Sequence, residues 1–312
     1  MTSARYAAIT LGSNSFNMMV AETVDHHPKI VAKYKRKVRL AEGIEVDGSL
    51  NSAAITRGID CLAMFSEMLI KEGVFADNVA IIATATLREI SNADDFCQQA
   101  LTVLPHPIRI ISGSEEAQLI YQGMAATTEG SGRRLVIDIG GASTEFIIGD
   151  GDNILLKTSL AFGCVTFNHR FFDQFPFQNL DFDQVKNSVK AALRSDEPQL
   201  THLGWHSVVG ASGSVQSVVE LLNARGQSAV ISLDVLHTLK HEILTQESAS
   251  MLTIVGLKPE RAPTFAAGVA ILLALFELLN IEKLFLSGGA LREGLLHQLA
   301  QRIVTVPACK LK

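Results

Sequence analysis

A short segment occurs twice in this chain, once in each half, and it limits the folds that the chain can adopt. Ile9-Thr-Leu-Gly-Ser-Asn-Ser15 aligns with Ile137-Asp-Ile-Gly-Gly-Ala-Ser143, so that Gly12 falls on Gly140. In each copy an apolar run typical of a buried strand ends at a glycine turn, and a second apolar run follows. The two copies indicate a duplicated fold with one strand–turn–strand unit in each half and a cleft between them.

The rest of the chain alternates between helical and strand-like patterns. Such a mixture, with runs that read as buried, predicts an α/β fold. The glycine- and serine-rich segment 128–134 is the best candidate linker, because it separates two periodic regions. Apolar spacing predicts helices at residues 53–72, 93–103, 114–127, 179–193, 233–247, 265–279 and 291–302, and a further helix that follows residues 211–214 and ends at 223. Strands are predicted at 29–40, 79–83, 108–111, 205–210 and 281–286.

Composition and charge exclude a protein that coats nucleic acid. The 312 residues are 47% hydrophobic, which is typical of a globular chain of about two domains. Lys and Arg number 27 against 32 Asp and Glu, a formal net charge of −5, and only 6% of the residues are aromatic. Proteins that bind nucleic acid carry basic surfaces and, for single strands, aromatic stacking platforms. A small polyanionic substrate is still compatible with this composition, because a locally basic cleft can form on an acidic protein.

Cysteine spacing and apolar segments favour a cytoplasmic protein. The four cysteines, Cys61, Cys97, Cys164 and Cys309, form no CxxC pair, so we expect reduced thiols. The most apolar stretch, residues 265–279, is shorter than the ~20 residues of a membrane span, and we expect a helix buried in a domain core. We therefore predict neither a membrane nor nucleic acid as a partner.

Both glycine turns have residues suited to binding phosphate. They consist of Gly12, Ser13, Asn14 and Ser15 in the first half, and of Gly140, Gly141, Ala142, Ser143 and Thr144 in the second. Successive backbone N–H groups and short hydroxyls form a concave surface that binds phosphate oxygens without a formal charge. Neither turn is a Walker A loop or a GxGxxG fingerprint. A simple hairpin is the alternative interpretation of each turn.

Four carboxylates near these segments are candidates for metal binding or proton transfer. Asp138 precedes the second turn and Glu145 follows it, and carboxylates beside a phosphate site commonly hold Mg²⁺. For Glu145 the alternative is a surface position on a hairpin arm. Glu115 and Glu116 open a predicted helix, where adjacent side chains point in different directions. The residues alone favour a stabilising interaction of these two with the helix dipole.

Three basic features complete the candidates. Arg88 lies in a polar break after a predicted strand, where open α/β sheets form clefts, and an arginine there can stabilise a transferring phosphoryl group. His237 and His241 lie four residues apart on a predicted helix without a third ligand, so we expect surface histidines. A run of basic residues is interpreted as a solvated edge of a sheet, and the alternative is that it steers a polyanion towards the protein. The run comprises Lys33, Lys35, Arg36, Lys37 and Arg39.

Seven segments, in this order, resemble the exopolyphosphatase / guanosine pentaphosphate phosphohydrolase family of the sugar kinase–actin–Hsp70 superfamily. The resemblance extends through nearly the whole chain, and residues 35–40, 119–123 and 139–143 are more similar to the guanosine pentaphosphatase branch than to the polyphosphatase branch. The segments are residues 7–16, 83–88, 111–117, 136–145, 162–166, 210–213 and 286–294.

This resemblance implies a fold and a set of roles. The fold would be two ribonuclease H-like (actin-like ATPase) domains at 1–125 and 126–312, with the last helix free to pack back on the first domain. The active site would lie in the cleft between them. The resemblance implies that Glu116 is the general base and that Arg88 faces the phosphates. It also implies that Asp138 and Glu145 bind Mg²⁺ and that the two glycine turns are the phosphate loops.

The implied activity is hydrolysis of the terminal phosphoanhydride of guanosine pentaphosphate, a reaction of the stringent response. One alternative is an exopolyphosphatase that acts on inorganic polyphosphate. Another is a sensor that binds phosphate chains but hydrolyses them poorly, because Thr10 stands where the family motif usually has an aspartate near the metal. Gln118 and Ser214 are milder departures from the family pattern, and a homodimer is left open.

Overall fold

The computed structural model describes residues 5–24, 27–248 and 253–305, which divide into two units. The first unit is Met1–Thr127 together with Gly289–Lys312, and the second is Thr128–Gly288. The division therefore falls between Thr127 and Thr128, against the predicted 125 and 126. The second unit ends at Gly288 rather than at residue 312, because the last helix packs on the first unit.

The first unit contains a five-stranded sheet with helices on both faces. The strand order is β3-β2-β1-β4-β5; β1 to β3 are antiparallel, and β4 and β5 run parallel to β1. The strands are β1 (Arg5–Leu11), β2 (Phe16–Val24), β3 (His27–Arg36), β4 (Val79–Ala83) and β5 (Ile108–Ile110). The helices are α1 (Ser52–Lys71), α2 (Ala85–Glu89), α3 (Ala93–Val103), α4 (Gly113–Ala125) and α11 (Leu291–Thr305), with short 3₁₀ turns at Leu40–Gly43 and Ala76–Asn78.

The central strand β1 is apolar throughout because both of its faces are covered. Ile9 and Leu11 lie in the core cluster that contains Phe65 of α1. Tyr6 and Ala8 project from the other face into the cluster that α4 and α11 complete. A strand buried on both faces reads as a continuous apolar run, which explains why the sequence pattern indicated it so clearly.

The second unit repeats this arrangement around a six-stranded sheet. Its order is β10-β11-β9-β6-β7-β8; β6 to β8 are antiparallel, β9 runs parallel to β6, and β11 parallel to β9. The strands are β6 (Arg133–Ile139), β7 (Thr144–Asp150), β8 (Asn153–Leu160), β9 (Ser207–Ala211), β10 (Ile231–Ser232) and β11 (Lys283–Leu286). The helices are α5 (Cys164–Phe171), α6 (Asn179–Leu193), α7 (Glu197–Leu203), α8 (Ser212–Ala224), α9 (Leu233–Leu244) and α10 (Phe265–Leu279), with a 3₁₀ turn at Ala262–Thr264.

The predicted duplication is confirmed at the level of strand register. Leu11 pairs with Phe16 across the first hairpin, and Ile139 pairs with Thr144 across the second. In each unit an antiparallel three-stranded meander is continued by a parallel strand beside its first member. Equivalent positions in the two units can therefore be compared residue by residue.

The most apolar helix, α10, forms the centre of the second unit. It packs against α5, α6, α8 and α9, and Val269, Ile271, Leu272 and Leu275 are fully buried. By length and composition alone the segment Ala262–Leu279 could cross a membrane, but 72% of it is buried inside the structure. Such burial is typical of a core helix, as the sequence predicted.

The sequence patterns were wrong in several places, and the helix α7 and the short strand β10 were not predicted. The strand predicted over 29–40 ends at Arg36, and Arg39 then adopts a left-handed conformation at φ 51°. Arg88 lies within the short helix α2 rather than in a break. Neither β8 nor α5 was predicted: β8 is an edge strand with no clear alternation of burial, and α5 begins with backbone hydrogen bonds to the second glycine turn.

Candidate functional site

In the first unit, candidate residues collect at the carboxyl ends of three parallel strands. The end of β1 leads into the Gly12 turn, the end of β4 into α2 with Arg88, and the end of β5 into α4 with Glu116. Backbone hydrogen bonds hold these ends together: Thr84 N donates to Leu11 O at 3.2 Å, and Ile111 N donates to Ala83 O at 3.0 Å. This edge is where open α/β sheets bind ligands.

The first glycine turn is fixed by the segment that follows β3. Gly12 N donates to Ser15 O at 3.2 Å and closes the turn. The carbonyl of Ser13 accepts from Ala41 N at 3.0 Å, and that of Asn14 accepts from Arg39 N at 2.9 Å. These bonds hold two carbonyl groups of the turn against the 39–41 segment, which gives the turn one defined backbone conformation.

The two adjacent glutamates of α4 have different surroundings. Glu116 is 6% exposed, and its Oε2 lies 3.5 Å from Arg88 Nη1. Glu115 is paired instead with Arg109, and its side chain is 37% exposed. The prediction that the two carboxylates point in different directions is confirmed. The helix-dipole interpretation of Glu116 is incomplete, because this carboxylate is buried against a guanidinium.

Arg88 bridges the ends of two strands. Its Nη1 donates to Ile111 O at 2.8 Å and approaches Glu116 Oε2, while its Nε lies 3.8 Å from Glu89 Oε1. The side chain is 24% exposed, so the guanidinium is anchored while part of it reaches solvent. An anchored guanidinium can both orient a carboxylate and bind phosphate oxygens.

The second glycine turn has the same closure as the first. Gly140 N donates to Ser143 O at 2.9 Å. The carbonyls of Gly140 and Gly141 accept from Cys164 N and Val165 N at the start of α5, each at 2.9 Å. The Thr144 hydroxyl is fully buried and donates to Phe162 O at 2.7 Å, so its side chain supports the turn from behind.

Asp138 and Glu145 are paired across β6 and β7, one on each side of the second turn. Glu145 is only 1% exposed and Asp138 7%, so the surface alternative for Glu145 is wrong. Ser159 of β8 donates its hydroxyl to Glu145 Oε1 at 2.7 Å. Two neighbouring carboxylates fit Mg²⁺, which is commonly held by one or two carboxylates together with water and substrate phosphates. Within the described residues no group of three or more His, Cys, Asp or Glu could hold a metal ion.

Two residues near this turn were missed by sequence reasoning. Ser159 had no signal, because its role depends on the pairing of β8 with β7. Ser212 lies at the start of α8 with φ at 75°, and its hydroxyl donates to Ile139 O at 2.6 Å. A non-glycine residue in this conformation is uncommon, and its presence in the 210–213 motif was the available signal.

The other candidates that lie within the described residues agree with the predictions. Cys61, Cys97 and Cys164 are free thiols, and Cys309 lies outside the described residues. Burial raises the pKa of the Cys61 thiol to about 12. His237 and His241 are exposed on α9. The basic run lies in and after β3, which is an edge strand of its sheet as predicted.

Two units of matching strand order, each with a glycine turn after its central parallel strand, define a protein of the actin-like ATPase fold. Solved structures share this fold. An exopolyphosphatase from Cytophaga hutchinsonii superposes with a TM-score of 0.86 at 24% identity, covering 96% of this chain and 98% of that one. A Ppx/GppA family member from Aquifex aeolicus superposes with a TM-score of 0.78 at 21% identity, covering 97% and 99%.

The chain belongs to the Ppx/GppA phosphatase family, whose sequence model matches residues 19–303. Two curated relatives carry the name guanosine-5′-triphosphate,3′-diphosphate pyrophosphatase. The relative from Vibrio cholerae is 46% identical over 304 residues, which are 96% of this chain and 60% of that protein. The relative from Aliivibrio fischeri is 45% identical over 305 residues, 98% of this chain and 61% of that protein. This chain thus spans about 60% of the length of these relatives.

Proposed function

We propose that this chain hydrolyses the terminal phosphoanhydride of guanosine 5′-triphosphate 3′-diphosphate and releases phosphate. The observation that carries the proposal is the buried Glu116 carboxylate beside the Arg88 guanidinium, at the sheet end that also bears the Gly12 turn. The names of the relatives at 45–46% identity support this substrate. We place the reaction in the cytoplasm, in keeping with the free thiols.

The proposed reaction is an in-line attack of water on the terminal phosphorus. The water oxygen forms a bond to phosphorus while its proton passes to a carboxylate oxygen of Glu116. The bond between the terminal phosphorus and the bridging oxygen breaks, and the bridging oxygen keeps the electron pair. Such transfer depends chiefly on positioning and on stabilising the phosphoryl charge, which suits an anchored Arg88 and the N–H groups of the Gly12 turn.

Glu116 is a better candidate for the base than Glu115 for a geometric reason. Its carboxylate is buried and is oriented by a guanidinium that is itself anchored on Ile111 O. Glu115 is partly exposed and is held by Arg109. A base that positions one water needs a fixed orientation, and only Glu116 combines that orientation with burial.

The second unit would supply the metal site. Asp138 and Glu145 would hold Mg²⁺, with Ser159 fixing one oxygen of Glu145. When bound, the ion neutralises negative charge on phosphate oxygens. The Gly140 turn beside these carboxylates would contribute N–H groups to phosphate oxygens.

The test measures phosphate release from guanosine 5′-triphosphate 3′-diphosphate, GTP and inorganic polyphosphate, each with Mg²⁺ and with EDTA. Glu116→Gln is compared with Glu115→Gln, the same change on the neighbouring residue. We expect Glu116→Gln to lower the rate ~10²–10⁴-fold with substrate affinity kept within a few-fold, because the amide cannot accept the proton. Glu115→Gln should stay within a few-fold of the parent.

Each other outcome rejects part of this proposal. Faster release from polyphosphate than from the nucleotide would make the chain an exopolyphosphatase. Tight binding of all three substrates without release would make it a sensor. A fully active Glu116→Gln variant would remove Glu116 as the base.

A further inference from the structure

The duplicated hairpins differ in charge at equivalent positions. In the second unit, Asp138 pairs with Glu145 across the sheet, and Glu145 pairs with Ser159. In the first unit the equivalent pairs are Thr10 with Asn17 and Asn17 with Lys35. We call Thr10, Asn17 and Lys35 the first-unit row. Their side chains project from the same face of the sheet, because the side chains of directly paired residues do so. The first unit thus has a hydroxyl and an amide where the second unit has two carboxylates, and it has a lysine where the second unit has Ser159.

A second cation meets this row from another element. Arg292 is the second residue of α11, and its Nη1 donates to Asn17 Oδ1 at 3.4 Å. The side chain is half-buried. In the described part of the chain, no carboxylate forms an ion pair with Arg292; its hydrogen-bond partner is the neutral amide of Asn17. A partly desolvated guanidinium held by a neutral group keeps its charge and its remaining donors for another acceptor.

The residue at position 10 decides what that acceptor is. Thr10 is 3% exposed and lies beside Asn17, on the strand that leads into the Gly12 turn. A carboxylate there would neutralise part of the charge of Arg292 and would favour a metal ion. The threonine adds no negative charge there, and a guanidinium binds phosphate oxygens directly through parallel N–H groups.

We propose that Arg292, positioned by Asn17, binds oxygens of the substrate's phosphate chain directly, without a metal ion between them. In this protein the first-unit row would therefore be an anion site, whereas the equivalent carboxylates of the second unit form a cation site. The inference rests on the proposed function, since it names a residue that recognises that substrate. It also assigns Thr10 a role other than that of a lost metal ligand.

The first experiment measures binding of inorganic tripolyphosphate by calorimetry in the presence of EDTA. Arg292→Gln removes the guanidinium, Arg292→Lys keeps the charge but not the parallel donors, and Arg302→Gln removes the same charge from an exposed position on α11. We expect at least tenfold weaker binding for Arg292→Gln, an intermediate loss for Arg292→Lys and none for Arg302→Gln. Equal affinities for the parent and Arg292→Gln, with an unchanged unfolding midpoint, would overturn the proposal.

The second experiment compares Thr10→Asp with Thr10→Asn, which has nearly the same size but no charge. We expect Thr10→Asp to weaken metal-free binding by about tenfold and Thr10→Asn to leave it within twofold, because only the carboxylate competes for Arg292. The double variant Thr10→Asp/Arg292→Gln should lose less binding affinity than the two single variants lose together. If Thr10→Asp tightens binding in Mg²⁺ and leaves it unchanged in EDTA, the row is an impaired metal site and the proposal is wrong.

Failure of this inference and failure of the proposed function give different results. If the parent hydrolyses the nucleotide but Arg292→Gln binds tripolyphosphate normally, the function holds and the anion site does not. If the parent binds tripolyphosphate through Arg292 but hydrolyses no substrate, the anion site holds and the hydrolase does not.

Discussion

Helices α4 and α11 meet at two glycines, and this contact determines where Glu116 lies. A Cβ atom added at Gly123 of α4 would lie 1.9 Å from Ala290 O and 2.7 Å from Gly294 N. A Cβ atom at Gly294 of α11 would likewise lie 1.9 Å from Leu119 O. The opposing atoms belong to the backbone, so no side-chain rotation can relieve the overlap. Both helices are therefore fixed at a separation that only glycine allows.

Gly123→Ala should consequently displace α4. To bring the new contact from 1.9 Å to the 3.4 Å of an ordinary one, the helices must separate by about 1.5 Å locally. Glu116 lies on the same helix, and its 3.5 Å approach to Arg88 is already long, so a shift of that size breaks the ion pair. Misplacing a catalytic group by about 1 Å can cost ~10²-fold in rate.

We expect Gly123→Ala to lower kcat by about 10²-fold and the free energy of unfolding by about 2–3 kcal/mol, at the upper end of overpacking costs. The separation also opens the apolar cluster that Leu119, Leu295 and Leu296 share. Phosphate release and urea unfolding measure the two effects. Gly213→Ala is the control for stability, because its Cβ would meet only the end of the Arg261 side chain, at 3.3 Å.

Two results would refute this reasoning. If Gly123→Ala unfolds at the parent's urea midpoint, the close helix contact does not limit the packing. If it is destabilised but retains full kcat, α4 can move without displacing Glu116 from the reacting water.

Two further predictions concern Glu145, one of the two proposed metal carboxylates, and a buried thiol. Ser159→Ala should weaken Mg²⁺ binding ~10–100-fold in calorimetry, because it removes the hydroxyl that orients Glu145. Thr158→Val, on the opposite face of the same strand, should leave the Mg²⁺ affinity unchanged. Equal Mg²⁺ affinities of Ser159→Ala and the parent would contradict the assignment of Glu145. Burial raises the pKa of the Cys61 thiol from 9.0 to about 12, so above pH 9 the thiol loses its proton in the unfolded state and keeps it in the folded state. The stability that this group contributes is therefore lost as the pH rises from 9 towards 12. Between pH 8 and pH 10 the parent should lose about 1.4 kcal/mol more unfolding free energy than Cys61→Ala in urea titrations, and equal losses would show that the thiol does not titrate in this way.

The sequence determined the elements whose patterns are set locally. Three helices were predicted with their observed bounds, because their apolar residues recur with the helical period. They are Ala93–Val103, Asn179–Leu193 and Phe265–Leu279. The repeated glycine turn indicated the duplication, since an apolar run, a glycine turn and a second apolar run recur in each half of the chain. The residues alone indicated Asp138, Glu145 and Arg88 as candidates, the family resemblance added Glu116 as the general base, and all four roles stay predictions.

Only the tertiary structure decided which of these groups are neighbours. Burial and an ion pair to Arg88 separate Glu116 from Glu115, although the two are adjacent in the chain. Ser159 reaches Glu145, and Arg292 reaches Asn17, only because strand pairing and helix docking bring together residues that are distant in sequence. A local pattern records the period of an element and the face that it buries, whereas charge balance at a site depends on contacts between elements, which no local pattern encodes.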